Sequence, residues 1–237
     1  MNIRSDLPLV RGSVELALVG AMALPAGSAL AAGGDVPPTE TAATLSLDVV
    51  APKLTVGDLV FIRIGFKPFA EVAAATGTWT NHVGVVVDVS GDEPRIGESA
   101  FPLSRITTLS RFVKRSENGR FAVMRLKEDL TAEQQASVLA AATRRLGIFY
   151  DTGFDLHSRR AFCSRYVREV LAEATGYTVG EVETFAHLLA SRPSANQIFW
   201  KVWYFGRIPW DRETVTPASL LRSPEVQAVF DGIARAR

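Results

Sequence analysis

The chain has 237 residues, 47% of them apolar and 22% charged, with a formal net charge of +1. These values lie near the averages for soluble domains and supply no basic field of the kind nucleic acid selects. A single cysteine excludes an internal disulfide framework and any multi-cysteine zinc site. The three histidines, His82, His157 and His187, show no metal-ligand spacing, so neither a metal nor a cofactor is expected.

At the N-terminus, Arg4 and Arg11 precede the apolar run Leu16 to Leu24. A Pro25-Ala26-Gly27-Ser28 break follows, and Ala29-Leu30-Ala31 fits a small-x-small cleavage site. Residues 1–31 therefore read as a signal peptide for export to the bacterial periplasm or envelope. Asp6 and Glu15 interrupt that pattern, and the alternative is an over-extended gene start on a cytoplasmic protein. The apolar run is too short for a permanent membrane span, and no later segment reaches ~18 uninterrupted apolar residues. Residues 32–54, rich in Ala, Gly, Pro and Thr with Pro37-Pro38 inside, read as a flexible linker, leaving one domain over 55–237.

Within that domain, Leu59 to Ile64 is β-rich after Gly57-Asp58, and Lys67 to Ala75 has helical spacing ended by Gly77. His82 to Val89 is a β-branched run. The turn signal Ser90-Gly91-Asp92-Glu93-Pro94 joins it to a short strand, Arg95 to Ser99, as a hairpin. Ser104 to Val113 reads as a short helix or turn, and Arg120 to Leu126 as a further strand. Thr131 and Gln134 have capping-box spacing before a helix with an apolar stripe of Val138, Leu139, Ala142 and Leu146, ended by Gly147. A loop from Phe149 to Ala161 leads to a helix starting at Cys163. Beyond it come a helix over Val179 to Leu189, an aromatic segment (Trp200, Trp203, Tyr204, Phe205, Trp210) and a last helix opening at Pro224. The fold class is α+β with a central antiparallel sheet.

Cys163, Tyr166, Val167, Val170, Leu171 and Ala174 share one helical stripe, with Gly176 closing the helix. A thiol in a first helical turn sits beside unpaired N–H groups and the positive end of the helix dipole, which favour the thiolate. The same placement also suits a small core residue. His82 and Glu98 lie sixteen residues apart around the hairpin turn. A register whose paired numbers add to an even total near 180 or 182 puts them on one face, where the carboxylate orients the imidazole and frees its other nitrogen for a thiol proton. As an isolated residue, His82 reads equally as a polar strand end.

Gly57-Asp58-Leu59-Val60-Phe61, Asn81-His82-Val83-Gly84-Val85, Ile96-Gly97-Glu98-Ser99 and Phe162-Cys163-Ser164 together resemble the motifs of the permuted papain-like (NlpC-type) cysteine hydrolases of the YiiX/YebB group. Trp79-Thr80-Asn81-His82, Leu103 to Phe112, Val179 to Phe185 and Ile208-Pro209-Trp210 resemble its YebB-like members most. The resemblance runs from Val56 to Leu221 and implies a circularly permuted papain-like fold, the histidine hairpin preceding the cysteine helix. It implies Cys163 as nucleophile, His82 as base and Glu98 as the third polar residue. It also implies a cleft lined by Tyr150, a residue that otherwise reads as packing; Trp79 and Asn81, which flank His82, and Ser164 after the cysteine are candidates for the substrate site, with Trp79 reading equally as a half-buried wall. Arg165 stands where many relatives carry Glu. The backbone N–H of Cys163 is the natural first donor to an oxyanion.

The expected activity is that of a cysteine peptidase or amidase, acting on cell-wall peptides if the protein is exported. The alternatives are a lipid-acyl thiol hydrolase or acyltransferase, and a binding module that uses the same cleft. The expected partner is a peptide, amide or acyl substrate, with no nucleic acid, and nothing sets an oligomeric state. The basic stretch Arg105, Arg111, Lys114, Arg115, Arg120 reads as a solvated face or a contact for acidic substrate groups.

Overall fold

The computed structural model describes residues 43–192 and 195–235. The expected signal peptide over 1–31 lies outside them, as do residues 32–42 of the expected linker.

The remainder of that linker is folded. β1 (Ala43–Ser46) and α1 (Leu47–Val50) are followed by a single 3-10 turn. Val50 and Leu54 are buried in a core cluster with Ile62 and Phe121, and Leu45 and Leu47 pack against it. This corrects the linker reading of 43–54. Local composition hid it because β1 finds its partner far away in sequence, at the C-terminal end of the chain.

β2 (Leu59–Ile62), α2 (Lys67–Thr76), β3 (His82–Asp88) and β4 (Arg95–Ser99) follow the expected order. Asp58 immediately precedes β2, its carboxylate held by Arg125 Nε at 2.7 Å and Nη2 at 2.8 Å, a bidentate pair that ties the entry of the strand to its neighbour. The segment expected as a short helix or turn divides into β5 (Ser104–Thr108) and α3 (Leu109–Val113), with Thr108 capping the Arg111 N–H. β6 (Arg120–Leu126) precedes α4 (Ala132–Arg144), whose capping box between Thr131 and Gln134 is formed as expected. The buried face of α4 is Val138, Ala141 and Ala142, whereas Leu139 and Leu146 are exposed, so the expected stripe is rotated.

α5 (Cys163–Thr175) ends at Gly176 in the left-handed conformation. The helix expected over 179–189 is instead a turn at Gly180, the strand β7 (Val182–Thr184) and α6 (Phe185–Ala190). Gly180 has φ +83°, and a Cβ there would fall 2.4 Å from Leu220 Cδ1, so the chain turns before it can coil. α7 (Gln197–Trp203), β8 (Glu213–Val215), α8 (Pro217–Leu221) and β9 (Val226–Arg235) complete the described chain.

β9 corrects the expected last helix. Its apolar residues Val226, Val229, Phe230 and Ile233 have helical spacing, but the register with β6 explains them otherwise. Val123 pairs with Phe230 and Met124 with Ala228, leaving Val229 as the extra residue of a bulge. The bulge shifts the alternation by one residue, and a phase-shifted strand imitates a helix in sequence.

The main sheet has the order β1-β9-β6-β2-β3-β4-β5 and is antiparallel except for the parallel pair β1/β9; β7 and β8 pair separately. One apolar core joins Leu59, Phe61, Val83 and Val85 to Val138 of α4 and to Tyr166, Val167 and Val170 of α5. A second core gathers Val60, Ile62, Val86 and Ile96 with Leu109, Phe112 and Val113 of α3. Both faces of the central strands are thus covered, which is why β2 and β3 are continuous apolar runs. α5 packs across β3 and β4, so its first turn meets the start of the hairpin. Among the described residues no helix is long and apolar enough to cross a membrane.

Candidate active site

The hairpin register decides whether the two candidate polar residues share a face. Val85 pairs with Gly97 and Val86 with Ile96, an even total of 182, so His82 and Glu98 are diagonal neighbours on one side of β3 and β4. His82 Nε2 meets Glu98 Oε2 at 2.7 Å, with both side chains buried. The His82 ring stacks on Phe112 at a centroid distance of 5.6 Å and meets Phe69 edge-on at 6.4 Å. Glycine is required at position 84 for this stack, since a Cβ there would lie 2.9 Å from the Phe112 ring and 2.5 Å from Ile96.

Glu98 is the hub. Its Oε1 accepts from Arg105 Nε at 3.0 Å, and its Oε2 from Arg115 Nη2 at 2.7 Å as well as from His82. Arg115 also lies 4.9 Å from the Phe112 ring centroid, so one arginine touches both the carboxylate and the aromatic ring that stacks on His82. Within the basic stretch, Arg111 and Lys114 are exposed, as a solvated face requires, whereas Arg105 and Arg115 serve the protein's own buried acid, a role neither reading anticipated. Arg120 pairs with Asp231 and covers Trp79. The signal available in sequence was the register itself, because Glu98 pairs directly with Arg105 across β4 and β5.

The thiol of Cys163 stands at the first position of α5, 3% exposed. Burial pushes its pKa up, but the positive charge and hydrogen bonding of His82, with the backbone N–H groups of Val83 and Ser164, bring it below the ordinary thiol value. Burial pushes His82 down in turn, and the negative charge of Cys163, then hydrogen bonding to Cys163 and Glu98, raises it from 6.5 to about 9. Burial opposes the ionised Glu98, yet its bonds to His82 and Arg115 hold its pKa at about 2. His82 Nδ1 makes no well-aligned hydrogen bond among the described residues, which leaves it free for a proton shared with sulfur. The electrostatics favour a thiolate–imidazolium pair backed by an ionised carboxylate.

This order of elements, hairpin histidine first and cysteine helix second, has a counterpart among known proteins. A family model described as permuted papain-like amidase enzyme, YaeF/YiiX, C92 family, matches residues 53–230. The chain belongs to this C92 family. The uncharacterized protein YiiX of Escherichia coli (strain K12) is 29% identical to it over 173 residues, covering 73% of this chain and 84% of the relative. The crystal structure of metalloprotein yiiX from Escherichia coli O157:H7 is similar at a TM-score of 0.70 and 27% identity, covering 76% of this chain and 98% of that one. Membership of the C92 family makes the chain a cysteine-type amidase or peptidase by class.

The other expected residues of this C92 chain divide. Tyr150 is buried and lines a cavity at Cys163, with its hydroxyl close enough to the thiol and to the Cys163 N–H that both act on its ionisation. Burial first, then the charge of Cys163, pushes the Tyr150 pKa well up, so the hydroxyl keeps its proton. Asn81 and Ser164 also reach the cavity wall, but their polar atoms are spent elsewhere. Asn81 accepts from Ile64 N at 2.8 Å and donates to Ile64 O at 3.0 Å, and Ser164 donates to Val215 O at 2.7 Å. Trp79 is absent from that wall and lies half-buried under Arg120, whose guanidinium is 4.3 Å from its ring. Arg165 reaches back to the carbonyls of Ser158 and Arg160 and to Glu169, fastening the loop before α5 rather than facing the thiol. Of the aromatic segment only Trp200 lines the cavity, while Phe205 and Trp210 are exposed. Trp203 and Tyr204 donate to Thr152 O and Gly153 O, and Trp200 packs against Phe154. His157 is exposed against Glu213, and His187 is exposed near Glu183.

Proposed function

We propose that Cys163, His82 and Glu98 act as a catalytic triad that hydrolyses an amide bond through a thioester. The observation that carries this reading is His82, with one ring nitrogen on a buried carboxylate and the other unpaired beside a thiol at a helix start. Cys163 Sγ attacks the carbonyl carbon and forms the C–S bond. The C–N bond then breaks, and the proton on His82 Nδ1 passes to the departing amine. Water gives a proton back to His82 as its oxygen bonds the carbonyl carbon; the C–S bond breaks, releasing the carboxylic acid and the thiolate. The Cys163 N–H and the Tyr150 hydroxyl are the donors available to the oxyanion.

The name of the metalloprotein yiiX raises a metal ion for this chain. The donor set does not fit one. Both Glu98 oxygens already take arginine or histidine donors, and among the described residues no group of three or more His, Cys, Asp or Glu side chains is arranged to hold an ion. The steps above accordingly run through side chains alone.

We further propose that residues 1–31 direct export and that the substrate is a cell-wall peptide. Mass spectrometry of the mature N-terminus tests the first part; an N-terminus at Met1 in envelope and cytoplasmic fractions alike rejects it. Incubation with a panel of peptide amides, with Cys163→Ala as control, tests the chemistry. Amine release that depends on Cys163 is expected, and equal release by the variant removes the thiol from the mechanism.

A further inference from the structure

Cys163 opens onto a chamber walled by Phe154, Phe185, Leu188, Leu189 and Trp200. It has about 40 Å³ of room for water-sized occupants, where one water needs roughly 10–15 Å³. Four of the polar side chains at its edge are tied away from it: Thr76 on Val72, Asn81 on Ile64, Ser164 on Val215 and Thr216 on the Ser219 N–H. Among the described residues, three buried side-chain polar atoms lack a hydrogen-bond partner: His82 Nδ1, Tyr150 Oη and Trp200 Nε1. Tyr150 and Trp200 line this chamber, and His82 adjoins its cysteine.

We propose that this chamber is the subsite for the group borne by the scissile carbonyl, and that it selects a short, uncharged, apolar group. The proposal rests on Cys163 being the nucleophile. The mostly apolar walls carry no acidic or basic side chain to pair with a carboxylate or an ammonium, so charged groups are rejected. The small volume rejects long chains and rings. An alanine- or valine-like residue and a short fatty acyl group share this chemistry. Leu188, with Ala75, Thr76 and Thr216, lines both the chamber and a larger polar groove of about 460 Å³ that also contains Glu183, Arg192 and Arg222; it is the largest apolar side chain of that shared wall and sets the length limit.

Chloromethyl ketones provide a test that needs no turnover, because the Cys163 thiolate displaces chloride and forms a thioether directly. Reagents carrying propyl, isopropyl, hexyl, carboxyethyl or aminobutyl groups on the carbonyl, and the ketones of N-acetylalanine and N-acetylvaline, are compared by their rates of Cys163 modification relative to iodoacetamide. Propyl and isopropyl are expected to exceed the charged groups of similar length by about 100-fold. Faster reaction of the amino-acid ketones assigns the subsite to a peptide, and faster reaction of the simple acyl ketones to an acyl chain. Leu188→Ala is expected to move the optimum to hexyl when each rate is taken relative to the variant's own iodoacetamide rate. Equal rates for charged and apolar groups, or an unmoved optimum in Leu188→Ala, overturns the subsite while Cys163 still alkylates with iodoacetamide. Failure of native Cys163 to react with iodoacetamide, when the denatured chain reacts, defeats the nucleophile assignment instead.

Discussion

The two sides of Cys163 differ in kind. Toward the hairpin stands an ionic assembly in which Glu98, wholly buried, holds His82, Arg105 and Arg115 within 3.0 Å. Toward α6 and α7 stands a chamber of aromatic and aliphatic walls. The first side is stiff because each ionic contact fixes another, and leaving one unmatched in the interior is costly. The second is held by dispersion and shape, which tolerate exchange among apolar side chains more readily. Chemistry is expected to depend on the first side and selectivity on the second, so substitutions on the two sides should be separable by readout.

The largest effect expected is that of His82→Ala. It should lower amide hydrolysis by about 10²–10⁴-fold and raise the thiol pKa, slowing alkylation at neutral pH. An unchanged pH profile of alkylation in this variant breaks the pairing of His82 with Cys163. The wild-type protein supplies a companion test. Because its pKa rises from 6.5 to about 9, the contribution of His82 to stability is full below about 6.5 and is lost as pH rises through about 9. Hydrolysis should fall through the same range, as the proton for the leaving amine is lost, while alkylation of the thiolate persists. For Glu98 the sign is opposite: its contribution is present above about 4.5 and is lost as pH falls through about 2.

Glu98→Gln comes next. It keeps the shape of the side chain but leaves Arg105, Arg115 and His82 without their buried counter-charge, and breaking such a network costs about 3–5 kcal/mol of stability. Denaturant titration measures it. A loss under 1 kcal/mol would mean that solvent already screens this side, and the contrast between the two sides of Cys163 would weaken accordingly.

How much of this was legible in sequence follows from how local each determinant is. The α4 capping box and the α5 stripe with its closing glycine depend on residues within one helix, and both formed as read. The pairing of His82 with Glu98 needed only the parity of one short hairpin, together with a recognisable constellation of motifs. What escaped depends on distant partners. β1 is a strand because it pairs with the end of β9, and β9 because it pairs with β6, while Val229 hides the alternation of β9 by bulging out of step. The roles of Arg105 and Arg115 escaped because a charged residue is ordinarily solvated; both keep part of their side chains in solvent, and only the placement of a buried acid beside them makes them its partners. The chamber is assembled from α2, the loop before α5, α6, α7 and β8, and no local pattern announces it.

The smallest effects separate the two arginines. The Arg115 side chain is 27% exposed and lies against both Glu98 and the ring that stacks on His82, whereas that of Arg105 is 47% exposed and touches Glu98 alone through Nε. Solvent screens the more exposed pair, and exposed ion pairs contribute about 0–1 kcal/mol. Arg115→Met should therefore lower kcat by about tenfold, equivalent to ~1.4 kcal/mol, and move the alkaline limb of the pH profile toward neutrality. The reason for that shift is that a less constrained carboxylate supports the imidazolium less well. Arg115→Lys, which keeps the charge, should restore most of the profile. Arg105→Met should change kcat less than threefold and leave the limb in place. If the two Met variants behave alike, Arg115 acts on Glu98 by charge alone and its contact with Phe112 contributes nothing to orienting His82.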